Sequence, residues 1–355
     1  MAGDVAIIGA GIVGCSTAYF LAHAGIKVTV HDTVGLAAGA SGRNNGIVEH
    51  PYDQPSIALF DESVAFLREV LGDKMPARPV GALLLAPDEP AARELVAHYS
   101  RFRGLDAAFM TPEQTRAEEP LLADGFWGCM LNTGYPISPV DATKGVAASA
   151  LVAGADFVLG EPVDLDALRR SSSDVVVAAG AASSQVLGGL VPADTVKPLW
   201  GVIVQIELPQ RPRHPIIEGT VTRGLTTGRI EHVSPFTLLD SPSWLAVGST
   251  LLDGPEPRAE DWTPRLLEQG ARYVPAIAGA PVRGTLVCAR PKAFDNRPIL
   301  GRVPGQEHLW LASGHGGRGM SLGAASGRLL AEAIVAGRDD AIPAELSSAR
   351  LSRRA

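Results

Sequence analysis

Apolar runs of strand length and stretches of helical periodicity alternate at both ends of this chain, and they meet at glycine turns. Residues 4–8 (DVAII) form a β-branched run that predicts a buried strand. The turn Gly9-Ala10-Gly11-Ile12-Val13-Gly14 follows, and residues 15–24 (CSTAYFLAHA) read as a helix. Gly25 ends it, since glycine takes the left-handed conformation that closes a helix. Residues 27–31 (KVTVH) predict a second strand, closed by Asp32. These segments make a βαβ unit.

Farther along, Ile57, Phe60, Val64, Leu67 and Leu71 recur at helical spacing and predict a helix over 56–71. Residues 81–86 (GALLLA) predict a strand and residues 92–102 (ARELVAHYSRF) a charged helix, among loops rich in Pro and Gly. Residues 174–180 (DVVVAAG) read as a buried parallel strand running into a tight turn. Residues 202–208 (VIVQIEL) and 244–247 predict strands of a separate sheet. A late strand at 309–312 enters a glycine-rich loop, Gly314 to Gly319, and then a long helix over 321–336. The tail after Ala341 is expected to be loosely held. The βα character of the first and last thirds, against mixed strands between, predicts a cofactor domain built from separate segments (1–80, 138–195 and 285–345). A substrate domain (81–137 and 196–284) is inserted between them.

The chain's 355 residues are enough for two packed cores. Its 31 Lys+Arg against 38 Asp+Glu leave a net charge of -7, which argues against nucleic acid as a partner, because phosphate binding needs a basic surface. Cys15, Cys129 and Cys288 lie far apart and form no CxxC pattern, so neither a metal site nor a disulfide framework is expected, and a reducing compartment fits best. The apolar N-terminus lacks a basic leader region, and no apolar run reaches membrane-spanning length. A soluble cytoplasmic protein without integral membrane association is expected; the oligomeric state, including a homo-oligomer, stays open.

The GxGxxG turn follows a strand, opens a helix and is followed by an acid at the end of the next strand, which is the context of a dinucleotide site. Gly9 permits the tight turn, Gly11 lets backbone approach a pyrophosphate, and Gly14 lets helix and strand pack closely. The free N–H groups and positive end of the helix favour a diphosphate, and Asp32 can accept hydrogen bonds from ribose hydroxyls.

Further segments extend this reading: Ala40-Ser41-Gly42-Arg43-Asn44-Asn45-Gly46, Ser138-Pro139-Val140-Asp141, residues 174–183 (DVVVAAGAAS), Gly248-Ser249-Thr250, residues 290–301 (RPKAFDNRPILG) and residues 314–320 (GHGGRGM). In this order they resemble the family of FAD enzymes that includes D-amino-acid oxidase, glycine oxidase and sarcosine oxidase. The resemblance covers most of the chain. It implies an α/β fold, with a Rossmann-like FAD-binding domain and an inserted α+β substrate domain on a mixed antiparallel sheet. It implies FAD held by Gly9, Gly11, Ile12, Val13, Gly14, Asp32, Ser41, Asn45, Gly46, Ile47, Val163, Ala179, Gly180, Gly314, His315, Gly316, Gly317, Gly319 and Met320. The loop at 314–320 would set a helix N-terminus against the flavin edge where negative charge grows on reduction. Two features depart from the family: Asp32 stands where it usually has Glu, and residues 161–173 are too few for its usual three-stranded meander.

For the substrate, the resemblance implies an amino acid or small amine. Its α C–H would deliver a hydride to the flavin, and the resulting imine would hydrolyse to a keto acid or aldehyde. Electrons would pass to oxygen, or, in a dehydrogenase subunit of the same fold, to a partner protein or quinone; a non-catalytic flavoprotein subunit is the third alternative. Arg290, five residues before Asp295, stands where glycine-oxidase-like members carry the arginine that binds the substrate carboxylate in bidentate geometry. His232 stands where relatives often place a substrate-touching tyrosine. His50 could face the flavin ring, and Arg318 could face either flavin or substrate. His315 is expected to support its loop. Cys288 has the spacing of the flavin-linked cysteine of the sarcosine oxidase branch. That branch also carries a lysine where this chain has Ser321, so non-covalent FAD is expected.

Overall fold

The computed structural model describes residues 4–219 and 234–353; His232 lies outside them. The strand Val5–Ile8 is buried along its whole length. It pairs in parallel with Val28–Asp32 on one side and with Asp174–Val177 on the other. Helices cover both faces of such a sheet, which is why its central strands are unbroken apolar runs and not alternating ones. The full order is Ile299–Arg302, Leu309–Ser313, Asp174–Val177, Val5–Ile8, Val28–Asp32, Asp156–Leu159. Only the pairing of Ile299–Arg302 with Leu309–Ser313 is antiparallel.

Close backbone approaches set the layers over this sheet. The helices Ile12–His23 and Gly319–Ala336 cross at Gly327, where a Cβ would stand 2.6 Å from the Thr17 amide nitrogen and 2.7 Å from Ser16 Cβ. The crossing brings the N-terminal glycine turn and the C-terminal glycine loop, far apart in sequence, to one edge of one sheet.

The second sheet has eight strands, in the order Val282–Ala293, Val196–Ile206, Leu245–Gly248, Thr237–Asp240, Ile216–Glu218, Ala82–Ala86, Trp127–Leu131, Ala107–Met110. It is antiparallel except where Ile216–Glu218 runs parallel to Ala82–Ala86. Alternation along Ala82–Ala86 sends Leu83 and Leu85 into one apolar cluster with Val202, Val204 and Leu266. Ala82, Leu84 and Ala86 go to another, with Leu95 and Tyr99 of the helix Glu89–Tyr99. Both faces are covered, so this strand too reads as a continuous apolar run.

Two expectations, the boundary at 285 and the loose tail, are revised, and the missing meander is borne out. The strand Val282–Ala293 pairs with Val196–Ile206 through residue 293, so the domain boundary expected at 285 falls inside a strand of the larger sheet. Residues 160–173 hold one short helix, Leu165–Ser171, capped by the Asp164 carboxylate, which accepts from the amides of Asp166 and Ala167. Asp156–Leu159 is therefore left as the sheet edge. The tail is packed, not loose: Ile342, Leu346 and Leu351 are buried, Leu300 N–H donates to the Leu346 carbonyl at 2.8 Å, and Arg350 Nε donates to Asp295 at 2.7 Å. Among the described residues no helix is long and apolar enough to cross a membrane, and no cluster of His, Cys, Asp or Glu could hold a metal ion.

Candidate active site

A cleft of about 530 Å³ lies between the two sheets, lined by residues of both. One part is the N-terminal glycine turn. Gly9 has φ +116°, and a Cβ there would stand 2.4 Å from the Ala178 carbonyl oxygen, so only glycine fits. The Asp32 carboxylate accepts from Ala10 N–H with one oxygen and from Val34 and Gly35 N–H with the other, each at 2.9 Å, which ties both turns to the end of its strand. Ser41 Oγ accepts from Ile12 N–H at 2.9 Å, holding the segment 40–46 over the start of the helix Ile12–His23.

Neither that helix nor Gly319–Ala336 has an acidic residue in its first turn, so both positive ends are unneutralised. Ile12, Val13, Gly319 and Met320 carry those two ends to the cleft wall. Two positive helix starts, a glycine cradle and an acid in one cleft suit a dinucleotide of two phosphates and a ring that takes up negative charge.

Fifteen of the nineteen expected cofactor residues line this cleft: Gly9, Gly11, Ile12, Val13, Asp32, Ser41, Asn45, Ile47, Ala179, Gly180, His315, Gly316, Gly317, Gly319 and Met320. Three others are packing glycines behind the wall. A Cβ would stand 2.0 Å from the Gly9 carbonyl at Gly14, 2.5 Å from the Ile137 carbonyl at Gly46, and 2.8 Å from Ala293 Cβ at Gly314. Val163 is a correction: its side chain packs against the cluster of Val175, Val177 and Leu187, because the shortened connection lays it across the sheet and away from the cleft.

Arg290 lines the cleft from the strand Val282–Ala293. Its Nη1 donates to the Thr250 carbonyl at 2.9 Å and its Nη2 to Ser249 Oγ at 2.5 Å. Burial lowers its pKa from the ordinary arginine value. Cys288 lines the same wall as a buried thiol; burial raises its pKa, against the opposing pull of Arg290 and Arg43. Buried His315 faces Ser326 Oγ with Nε2 at 3.0 Å, and burial lowers its pKa to about 4, so the ring is neutral near neutral pH and braces its loop.

His50 is the second correction. It is buried beside the rings of Tyr52, Phe60 and Phe102. Its Nδ1 accepts from Tyr52 N–H at 3.1 Å, and its Nε2 donates to the Arg103 carbonyl at 3.2 Å. Both ring nitrogens are committed to backbone, away from the cleft. The residue before it, Glu49, lines the cleft with Tyr52 and Arg318. Alternation could have revealed it: after Gly46, Ile47 and Glu49 share the cleft side, while Val48 and His50 are buried in the core. Burial pushes the Glu49 carboxyl up to about 7, against the opposing pull of Arg318 and the Tyr52 hydroxyl.

A mostly parallel dinucleotide-binding sheet, a second mixed sheet and the cleft between them define a flavin-type oxidoreductase. The chain belongs to the FAD dependent oxidoreductase family, whose model matches residues 4–333. It is 26% identical to a glycine oxidase of Geobacillus kaustophilus over 93% of this chain and 92% of that protein. Its fold matches the crystal structure of glycine oxidase from Bacillus cereus ATCC 14579 with a TM-score of 0.78 at 25% identity, covering 95% of this chain and 96% of that one. It also matches L-proline dehydrogenase from P. horikoshii with a TM-score of 0.79 at 19% identity, covering 99% and 98% of the two chains.

Proposed function

We propose that this FAD-dependent oxidoreductase oxidises the C–N bond of a small amino acid or amine, giving an imine that water hydrolyses to a keto acid or aldehyde. The carrying observation is Arg290, a guanidinium in the cleft whose plane is fixed by Ser249 and Thr250. Those two bonds use two of its five N–H donors. The rest form a fork for a carboxylate, and a carboxylate so held presents its α-carbon in one orientation. Bound FAD supplies the hydride acceptor. The protein's own part is orientation, the positive helix start at Gly319, and a neutral His315 behind it. The glycine oxidases among its relatives support an amino-acid substrate. Oxygen or an electron-accepting partner would take the electrons onward.

Anaerobic stopped-flow bleaching of the bound flavin with a panel of amino acids and amines tests this reading without reference to the acceptor. Arg290→Lys keeps the charge and loses the fork, and should cost about 1.5–3 kcal/mol in the efficiency of flavin reduction. Arg290→Ala should cost more while FAD content holds. An Arg290→Ala protein that bleaches as fast as the parent would remove the carboxylate clamp.

A further inference from the structure

Another guanidinium lines the cleft besides Arg290: that of Arg318, immediately before the helix Gly319–Ala336. Among the described residues its side chain donates no hydrogen bond and has no carboxylate oxygen within 4.0 Å. Its electrostatic neighbours are Asp53, Glu49, Tyr52 and Tyr99, all acting through space. Asp53 is already committed: it takes Arg297 Nε at 3.1 Å and Nη2 at 3.0 Å, and Ser56 Oγ at 2.7 Å. Glu49 does not cancel the charge either, because burial holds its carboxyl partly protonated near neutral pH despite Arg318 beside it.

A guanidinium lining the cleft without a contacting carboxylate carries a desolvation cost that Asp53 and Glu49 offset only through space. Arg290 contrasts with it, being anchored on Ser249 and Thr250 in the strand region of the other sheet. Among the four cationic side chains of the cleft wall, Arg43, Arg290, Lys292 and Arg318, the cleft thus offers Arg290 and Arg318 as separately mounted forks. An arginine fork with free donors suits a planar anion, and the Tyr52 hydroxyl, buried without a hydrogen-bond partner among the described residues, adds a donor beside it.

We propose that Arg318, with Tyr52, forms a second anion subsite, and that the substrate is an amino or imino acid carrying two carboxylates. Arg290 takes the carboxylate next to the reacting carbon, and Arg318 takes the distal one. This rests on the reading of Arg290 as the first clamp.

The test uses the FAD-loaded protein and two sets of unreactive probes, acetate against malonate and succinate. Binding is read from perturbation of the flavin absorbance and from the rise in the thermal unfolding midpoint. The better dicarboxylate should bind the parent at least about tenfold more tightly than acetate, since one charged hydrogen bond supports that ratio. In Arg318→Met the ratio should fall to about one, and Arg318→Lys should retain part of it. No dicarboxylate preference in the parent, or an equal loss for both probe classes in Arg318→Met, overturns the proposal. Loss of FAD from both Arg318 variants would assign the residue to the cofactor and also overturn it. The reading of Arg290 fails separately, if neither acetate nor any dicarboxylate perturbs the parent.

Discussion

The guanidinium of Arg290 lies flat against Gly201: a Cβ built on Gly201 would stand 2.4 Å from Nη1 and 2.6 Å from Cζ and Nη2. Arg290 faces Leu199 in the antiparallel register, and Gly201 is the next position on that strand with the same facing. Glycine is there for the arginine, since any side chain would occupy the guanidinium's place. Gly201→Ala should therefore swing Arg290 off Ser249 and Thr250, and carboxylate probes should bind at least about tenfold more weakly, the effect of one charged hydrogen bond. FAD content should stay near that of the parent. Titration of the bound flavin with acetate checks this, and an unaltered affinity would mean that Arg290 does not hold the carboxylate.

FAD should be released when the protein is denatured. Cys288 is buried, its thiol pKa is raised by burial, and it pairs in register with Gly201 on the outermost strand of the larger sheet. A thiol held protonated is a poor nucleophile toward the flavin ring. Acid precipitation should leave all yellow colour in the supernatant, and Cys288→Ala should keep the parent's flavin spectrum. Colour retained on the denatured parent and lost from Cys288→Ala would reverse the assignment.

His315 makes stability depend on pH in a definite direction. Burial lowers its pKa from 6.5 to about 4 in the folded chain. Between those values the unfolded chain binds a proton that the folded chain refuses, so stability is full above about 6.5 and falls as pH drops toward 4. The slope approaches about 1.4 kcal/mol per pH unit for one group. The parent's unfolding free energy, measured by urea titration from pH 7 to pH 4.5, should decline more steeply than that of His315→Asn. Parallel profiles would show that His315 titrates normally.

What was legible in the sequence followed from how local each feature is. The GxGxxG turn, its flanking strands and Asp32 lie within one short segment whose geometry depends on its own residues, and the structure has that βαβ unit. Glu49 was overshadowed by His50, although alternation from Ile47 separates the two. Gly201 was invisible because its reason is Arg290, 89 positions away and across a strand pair. The tail misled for a similar reason. Residues 342–353 show no regular apolar period, yet Arg350 reaches Asp295 and the carbonyls of Arg297 and Pro298, and these contacts anchor the segment. Val163 was carried over from relatives with a longer connection, and the short helix Leu165–Ser171 puts it elsewhere.

Gly11 and Gly14 share one motif but should fail in different ways. At Gly14 a Cβ would stand 2.0 Å from the Gly9 carbonyl oxygen, a backbone atom that cannot yield without parting the helix from its strand. Gly14→Ala should lower stability by about 3 kcal/mol, the upper range for overpacking, and the whole domain should melt early. Gly11 has φ -83° and ψ 179°, an ordinary extended conformation open to alanine. Its Cβ would meet only Ser41, the hydroxyl at 3.0 Å and Cβ at 3.8 Å. Ser41 can turn aside, at the cost of its bond to Ile12 N–H, about 1 kcal/mol. Gly11 also lines the cleft, so the added methyl and the shifted serine both narrow the diphosphate's place. Gly11→Ala should thus fold with nearly the parent's circular dichroism and melting midpoint, yet lose FAD on gel filtration, and Gly11→Val more so. A Gly11→Val protein that folds and keeps its FAD through gel filtration would move the diphosphate away from this turn.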